Sequence, residues 1–68
     1  MWKIIDTEII DKLQPGDIIT SNPGSSNAQY EIKTITSELI RAIHYNGILA
    51  FKVLPKYGLI SGSWWVKK

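Results

Sequence analysis

Three features of the sequence predict a mainly β fold, a small antiparallel barrel or bent sheet of four to five strands preceded by a short N-terminal helix. Apolar and polar residues alternate over residues 29–36, 39–54 and 59–66, the period expected of strands that bury one face. Turn-forming residues punctuate these runs every ten residues or so, roughly the spacing of a small all-β domain. The third feature is Asn46-Gly47, a pair that tolerates the positive φ angles of a two-residue type I′ turn and marks a hairpin when alternation flanks it.

The N-terminal segment reads differently. Trp2, Ile5, Ile9 and Leu13 are spaced three, four and four apart, which forms one stripe on a helix. Asp6 or Thr7 supplies an N-cap, Gln14-Pro15-Gly16 supplies a stop, and a helix over residues 7–13 is expected. The β-branched pairs Ile4-Ile5 and Ile9-Ile10 pull toward extended backbone, so residues 2–5 are open to a strand reading.

Pro15-Gly16-Asp17 is a turn signal leading into a first strand over residues 17–20. Residues 21–28 are polar or turn-forming throughout and read as an exposed loop of the kind that carries binding. The second strand covers residues 29–36. A connection of odd length around Thr36-Ser37-Glu38 sends Tyr30, Ile32 and Thr34 to the core, whereas an even one would bury Glu31 and Lys33 at high cost.

With a two-residue turn at Asn46-Gly47, Ala42 faces Phe51, Arg41 faces Lys52 and Ile40 faces Val53. One face then collects Ile40, Ala42, His44, Leu49, Phe51 and Val53 as the core. Pro55 lacks a backbone donor and ends the strand. Lys56-Tyr57-Gly58 turns the chain. The last strand, residues 59–66, directs Ile60, Gly62, Trp64 and Val66 inward and leaves Trp65 on the outside. Over residues 17–66 this order of strands, with a long loop after the first, resembles the SH3-like barrel.

At 68 residues the chain is expected to form a single small domain, residues 1–68, burying about 60% of the surface of its unfolded state. Twelve isoleucines and three tryptophans supply a dense core, and with no cysteine packing must hold it without disulfides. That composition fits a reducing compartment. Residues 1–6 lack the pattern of a signal peptide, and no run reaches the ~20 apolar residues of a membrane span, so a cytoplasmic protein without membrane partners is expected.

Little in the sequence suggests catalysis. His44 is the single histidine, too few ligands for zinc. The six carboxylates form no pair spaced for acid–base work, no serine sits in a nucleophile elbow, and Gly24-Ser25-Ser26 lacks the lysine of a phosphate loop. No enzyme activity, cofactor or metal is expected. Binding is better supported. Lys33, Arg41 and Lys52 line up across three strands in the expected register, and like charges facing one another ask for an anion or simply for solvent. Tyr45, Tyr57 and Trp65 are the aromatics that the core pattern needs least, and such residues anchor interfaces. Ile35, Leu39, Ile43, Ala50 and Leu54 fall on that same outer face, which in a one-sided sheet should be polar; the helix, a foreign chain or a second copy could cover it.

The expected function is therefore a non-enzymatic binding module for a protein partner, in the manner of a small phage or mobile-element product that modulates a host protein, with homodimerisation as another way to cover the face. The alternative is a small nucleic-acid-binding barrel using Lys33, Arg41 and Lys52, compatible with a formal charge of +2.

Overall fold

The fold is known from a computed structural model, which describes residues 1–25, 28–44 and 51–67. Six strands are present among these residues: β1 (Trp2–Ile4), β2 (Ile18–Thr20), β3 (Gln29–Ile35), β4 (Leu39–His44), β5 (Phe51–Pro55) and β6 (Trp65–Lys67). They form one sheet in the order β1-β6-β2-β3-β4-β5, with every neighbouring pair antiparallel. The mainly β expectation holds, but the sheet is open, with β1 and β5 at its edges, and does not close into a barrel.

The core lies on one side of the sheet. Ile19, Ile32, Ile40, Leu54 and Val66 reach it from the strands, and Ile5, Ile10, Leu13 and Leu59 cover them from the connecting segments. Each such aliphatic side chain contributes about 1.5–3 kcal/mol when fully buried. Ile5, Ile10 and Leu13 thus help to hold the N-terminal segment to the sheet.

That segment is not the helix expected over residues 7–13. No α-helix occurs among the described residues; residues 7–9 form a turn and Ile10–Lys12 a 3-10 turn. Asp6 does act as a cap, its Oδ1 accepting the Glu8 and Ile9 amides at 3.0 and 2.9 Å. Leu13 is already extended at ψ 141°, ahead of Pro15. Fewer than two turns fit between cap and stop, which does not recover the cost of helix nucleation. Upstream, the strand reading prevails: Lys3 pairs with Val66 and Ile4 with Trp65.

Pro15 and Gly16 occupy the middle of a tight turn closed by the Asp17 amide on the Gln14 carbonyl at 3.1 Å. Gly16 has φ +99°, which a residue with a side chain rarely adopts, so the turn depends on glycine here. Asp17 reinforces it by accepting the Gln14 amide at 2.9 Å.

The central hairpin is present, one residue out of the expected register. Asn46-Gly47, with the other residues of 45–50, lies outside the described residues. The pairing of β4 with β5 sets Ile40 opposite Leu54, Arg41 opposite Val53, Ala42 opposite Lys52 and Ile43 opposite Phe51. A one-residue shift moves every β5 side chain to the other face. Leu54 therefore packs inward at 7% exposure, while Phe51 and Val53, expected in the core, point out at 62% and 54%. The far end of β5 explains the choice. Beyond Pro55, the Lys56 amide donates to the Glu38 carbonyl at 2.8 Å, and the 3-10 turn Lys56–Ile60 carries Leu59 into the core. Leu54 and Leu59 are buried together on either side of Pro55, and that arrangement requires Leu54, rather than Val53, on the inner face.

A bulge between Ile32 and Thr34 settles the β3–β4 connection in a way the odd-or-even alternative did not contain. Next to the turn the register is even, with the Thr36 amide donating to the Leu39 carbonyl at 2.8 Å. Past the bulge, Ile32 pairs with Ala42 and Tyr30 with His44. Ile32 and Ile35 would face opposite sides of an unbroken strand. The extra residue lets both turn toward the core and sends Thr34 outward, opposite Arg41.

Candidate interaction face

The outer face of β3, β4 and β5 is built by alternation. In β4, Ile40 and Ala42 are fully buried, so Leu39, Arg41 and Ile43 occupy the other side. The β5 register adds Phe51 and Val53 beside them. Leu39, at 45% exposure, completes a group of large apolar side chains open to solvent. Apolar area of this kind costs about 25 cal/mol for each Å² left in water.

Arg41 lies in the middle of the group, directly opposite Val53. Its guanidinium carbon is 5.2 Å from the centroid of the Phe51 ring, a cation–π contact worth about 0.5–1 kcal/mol at an exposed site. Among the described residues no carboxylate lies within ion-pair distance of Arg41. Glu31 stands two pairs further along the ladder, on the same face and opposite Ile43. Its Oε2 holds the Lys33 ammonium at 2.9 Å, an exposed pair that adds at most about 1 kcal/mol.

The expected row of Lys33, Arg41 and Lys52 is not formed. Lys33 sits at the bulge and is drawn to Glu31. Lys52 pairs with Ala42 and so lies on the opposite side of the sheet from Arg41, its Nζ 5.4 Å from the Tyr30 ring centroid. Tyr30 belongs to an inner aromatic group with His44, edge-on at a centroid distance of 5.2 Å, and Trp64 at 6.1 Å. The one-residue change in register separates the two cations, because it exchanges the faces of Lys52 and Val53.

The expected aromatic anchors are also dispersed. Trp65 is half-buried on β6, opposite Thr20; two strands separate β6 from β4, about 14 Å along a flat sheet. Tyr57 is exposed in the 3-10 turn after β5, with the Lys56 ammonium 5.5 Å from its ring centroid. Tyr45 lies outside the described residues. Phe51 and Val53 were the residues of this face that sequence reasoning placed elsewhere. The signal that could have found them is the adjacent pair Val53-Leu54, where strict alternation fails and either residue can turn inward.

The loop after β2 is anchored by Thr20, a fully buried polar residue. Its hydroxyl lies 2.9 Å from the Ala28 carbonyl and 3.1 Å from the Asn22 carbonyl, and it accepts the Asn22 amide at 3.1 Å. One hydroxyl bridges the two ends of the loop, and Asn22 Oδ1 in turn accepts the Gly24 amide at 3.1 Å. Ser26 and Asn27, at the loop's centre, lie outside the described residues.

Among the described residues no group of three histidine, aspartate or glutamate side chains gathers to hold a metal ion, and no helix is long and apolar enough to cross a membrane. Comparison of the chain with protein-family models, curated proteins and solved structures finds no match.

Proposed function

We propose that this chain is a non-enzymatic binding module whose outer β3-β4-β5 face docks a protein. The observation that carries this reading is the cluster of Leu39, Phe51 and Val53, all exposed, around an Arg41 that has no carboxylate partner among the described residues. An aromatic, aliphatic side chains and an arginine in one exposed patch have the composition of an interface centre, which is rich in aromatic residues and arginine and poor in lysine. The finer reading of the sheet as an SH3-like bent sheet rests on strand order: β2 to β5 run as a meander and β6 returns beside β2.

The nucleic-acid alternative loses its main support. Phosphate recognition needs cations gathered along one surface, and Arg41 and Lys52 lie on opposite sides of the sheet. Affinity capture from a cell lysate, with and without nuclease, tests the choice. A protein retained after nuclease treatment and lost with Phe51→Asp is the expected result. A captured species that disappears on nuclease treatment, or one that Phe51→Asp leaves in place, would contradict the reading.

A further inference from the structure

The outer face carries both halves of a charge pair. Arg41 has its guanidinium over Phe51 and no acid within 4 Å among the described residues. Glu31, on the same face and two pairs further along the β3–β4 ladder, gives Oε2 to Lys33 and retains its second oxygen. An isologous interface requires this pattern: the same patch appears twice, so where residue i meets residue j, j also meets i. Resting on the reading of this face as a docking surface, we infer that its partner is a second copy of the same chain, packed face to face about a twofold axis that brings Arg41 of each copy to Glu31 of the other.

The apolar residues suit that arrangement. With the axis passing between Arg41 and Glu31, Ile43 lies near the centre, and Phe51 and Val53 are carried onto the partner's sheet. Arg41 then makes a charge-assisted bond, shielded from water by the Phe51 ring, with a carboxylate already held in place by Lys33. Such bonds are about twice as strong as neutral ones.

Edge-to-edge pairing, the other way for two sheets to meet, is opposed at β5. The strand is five residues long and ends in Pro55. The Lys56–Glu38 hydrogen bond fixes the alternation of the β4–β5 ladder, so that Leu54 and Lys52 direct their amides to β4, and Phe51 and Val53 direct theirs outward. Pairing Phe51 with Val53 of another copy through those groups would set Lys52 directly opposite Lys52, a like-charge contact that destabilises a ladder. A short strand bearing a lysine and a proline is a known way of protecting an edge. On this side of the sheet the outer face, and not the β5 edge, is thus the surface suited to association.

Sedimentation of the full chain over a wide concentration range, with charge-swapped variants, tests the inference. The wild type should show a monomer–dimer equilibrium. Arg41→Glu and Glu31→Arg should each weaken self-association by about tenfold or more, since each sets like charges together twice in the dimer. An equimolar mixture of the two variants, one isotope-labelled and followed by native mass spectrometry, should recover a mixed dimer, because both contacts then join opposite charges, one pair with its native sign and one reversed. Recovery on mixing also excludes misfolding as the cause of each single loss. A wild type that stays monomeric throughout would overturn the second copy as partner, while lysate capture abolished by Phe51→Asp would leave the docking face standing. A dimer indifferent to both charge swaps and to Phe51→Asp would overturn the inference and the docking face together.

Discussion

Leu54→Ala and Phe51→Ala should have opposite severities from those that a two-residue Asn46-Gly47 turn would give. Leu54 is 7% exposed, faces the fully buried Ile40 across the hairpin and belongs to the main core cluster. Truncating a buried leucine removes its transfer free energy and leaves a cavity, a loss of about 2–5 kcal/mol. A chain of 68 residues has a total stability of about 3–10 kcal/mol, so the variant loses a large part of it, and its melting temperature should fall by about 10 °C or more. Phe51, in contrast, is 62% exposed. Its truncation forfeits a partial burial and the Arg41 contact, a cost below about 1 kcal/mol. Urea denaturation of the two variants beside the wild type reads both values, with an unchanged slope showing that the transition remains comparable. If Phe51→Ala proves the more damaging, Phe51 is in the core and the face described here does not exist.

Two further outcomes follow from local hydrogen bonds. Thr20→Val keeps the shape of the buried residue but removes the hydroxyl that joins Ala28 to Asn22; it should cost about 1–3 kcal/mol and accelerate hydrogen exchange at the Asn22 amide, and unaltered exchange there would refute the role of Thr20 as the loop's anchor. Asp6→Ala removes the acceptor of the Glu8 and Ile9 amides and should lower stability by about 0.5–2 kcal/mol in the same urea assay; an unchanged midpoint would mean that the turn before Ile10–Lys12 holds without its cap.

The parts of the fold that were legible in the sequence are those where one local pattern had no competitor. Tyr30 and Ile32 alternate with charged residues, so their inward orientation was readable, and Pro55 ends β5 as its missing donor requires. Pro15-Gly16 gave a turn whose glycine does take a positive φ. Where two patterns competed, tertiary packing decided. The stripe of Trp2, Ile5, Ile9 and Leu13 fits a helix, yet Ile5 and Leu13 are buried, and Ile9 partly so, from the segments that flank a strand and a 3-10 turn, and β6 offers Trp2–Ile4 a ladder that a helix cannot use. Ile32 and Ile35 are both needed by the core at a spacing that strict alternation forbids, and a bulge reconciles them. No residue type announces a bulge in Ile32-Lys33-Thr34.

The interaction face was half legible for the same reason. Leu39, Arg41 and Ile43 follow from the alternation of β4 alone. Phe51 and Val53 depend on the pairing of β4 with β5, and Asn46-Gly47 is a local signal that carries no information about Leu59. The burial of Leu54 and Leu59 around Pro55 is a contact between segments, invisible to any pattern within one strand. From that single residue of register follow the outward turn of two apolar side chains, the inward turn of another and the separation of Arg41 from Lys52.

The register of the central hairpin is accordingly the most direct test of the account, and cross-strand Hα–Hα contacts in the nuclear Overhauser spectrum read it. In an antiparallel ladder such contacts are closest between residues opposite one another in non-hydrogen-bonded pairs. The Lys56–Glu38 bond places Arg41 with Val53 and Ile43 with Phe51 in those positions. Strong contacts between these two pairs are the predicted result. Strong contacts pairing Ala42 with Phe51 and Ile40 with Val53 would contradict it, returning Phe51 and Val53 to the core and leaving Arg41 without the apolar surroundings on which the docking face is built.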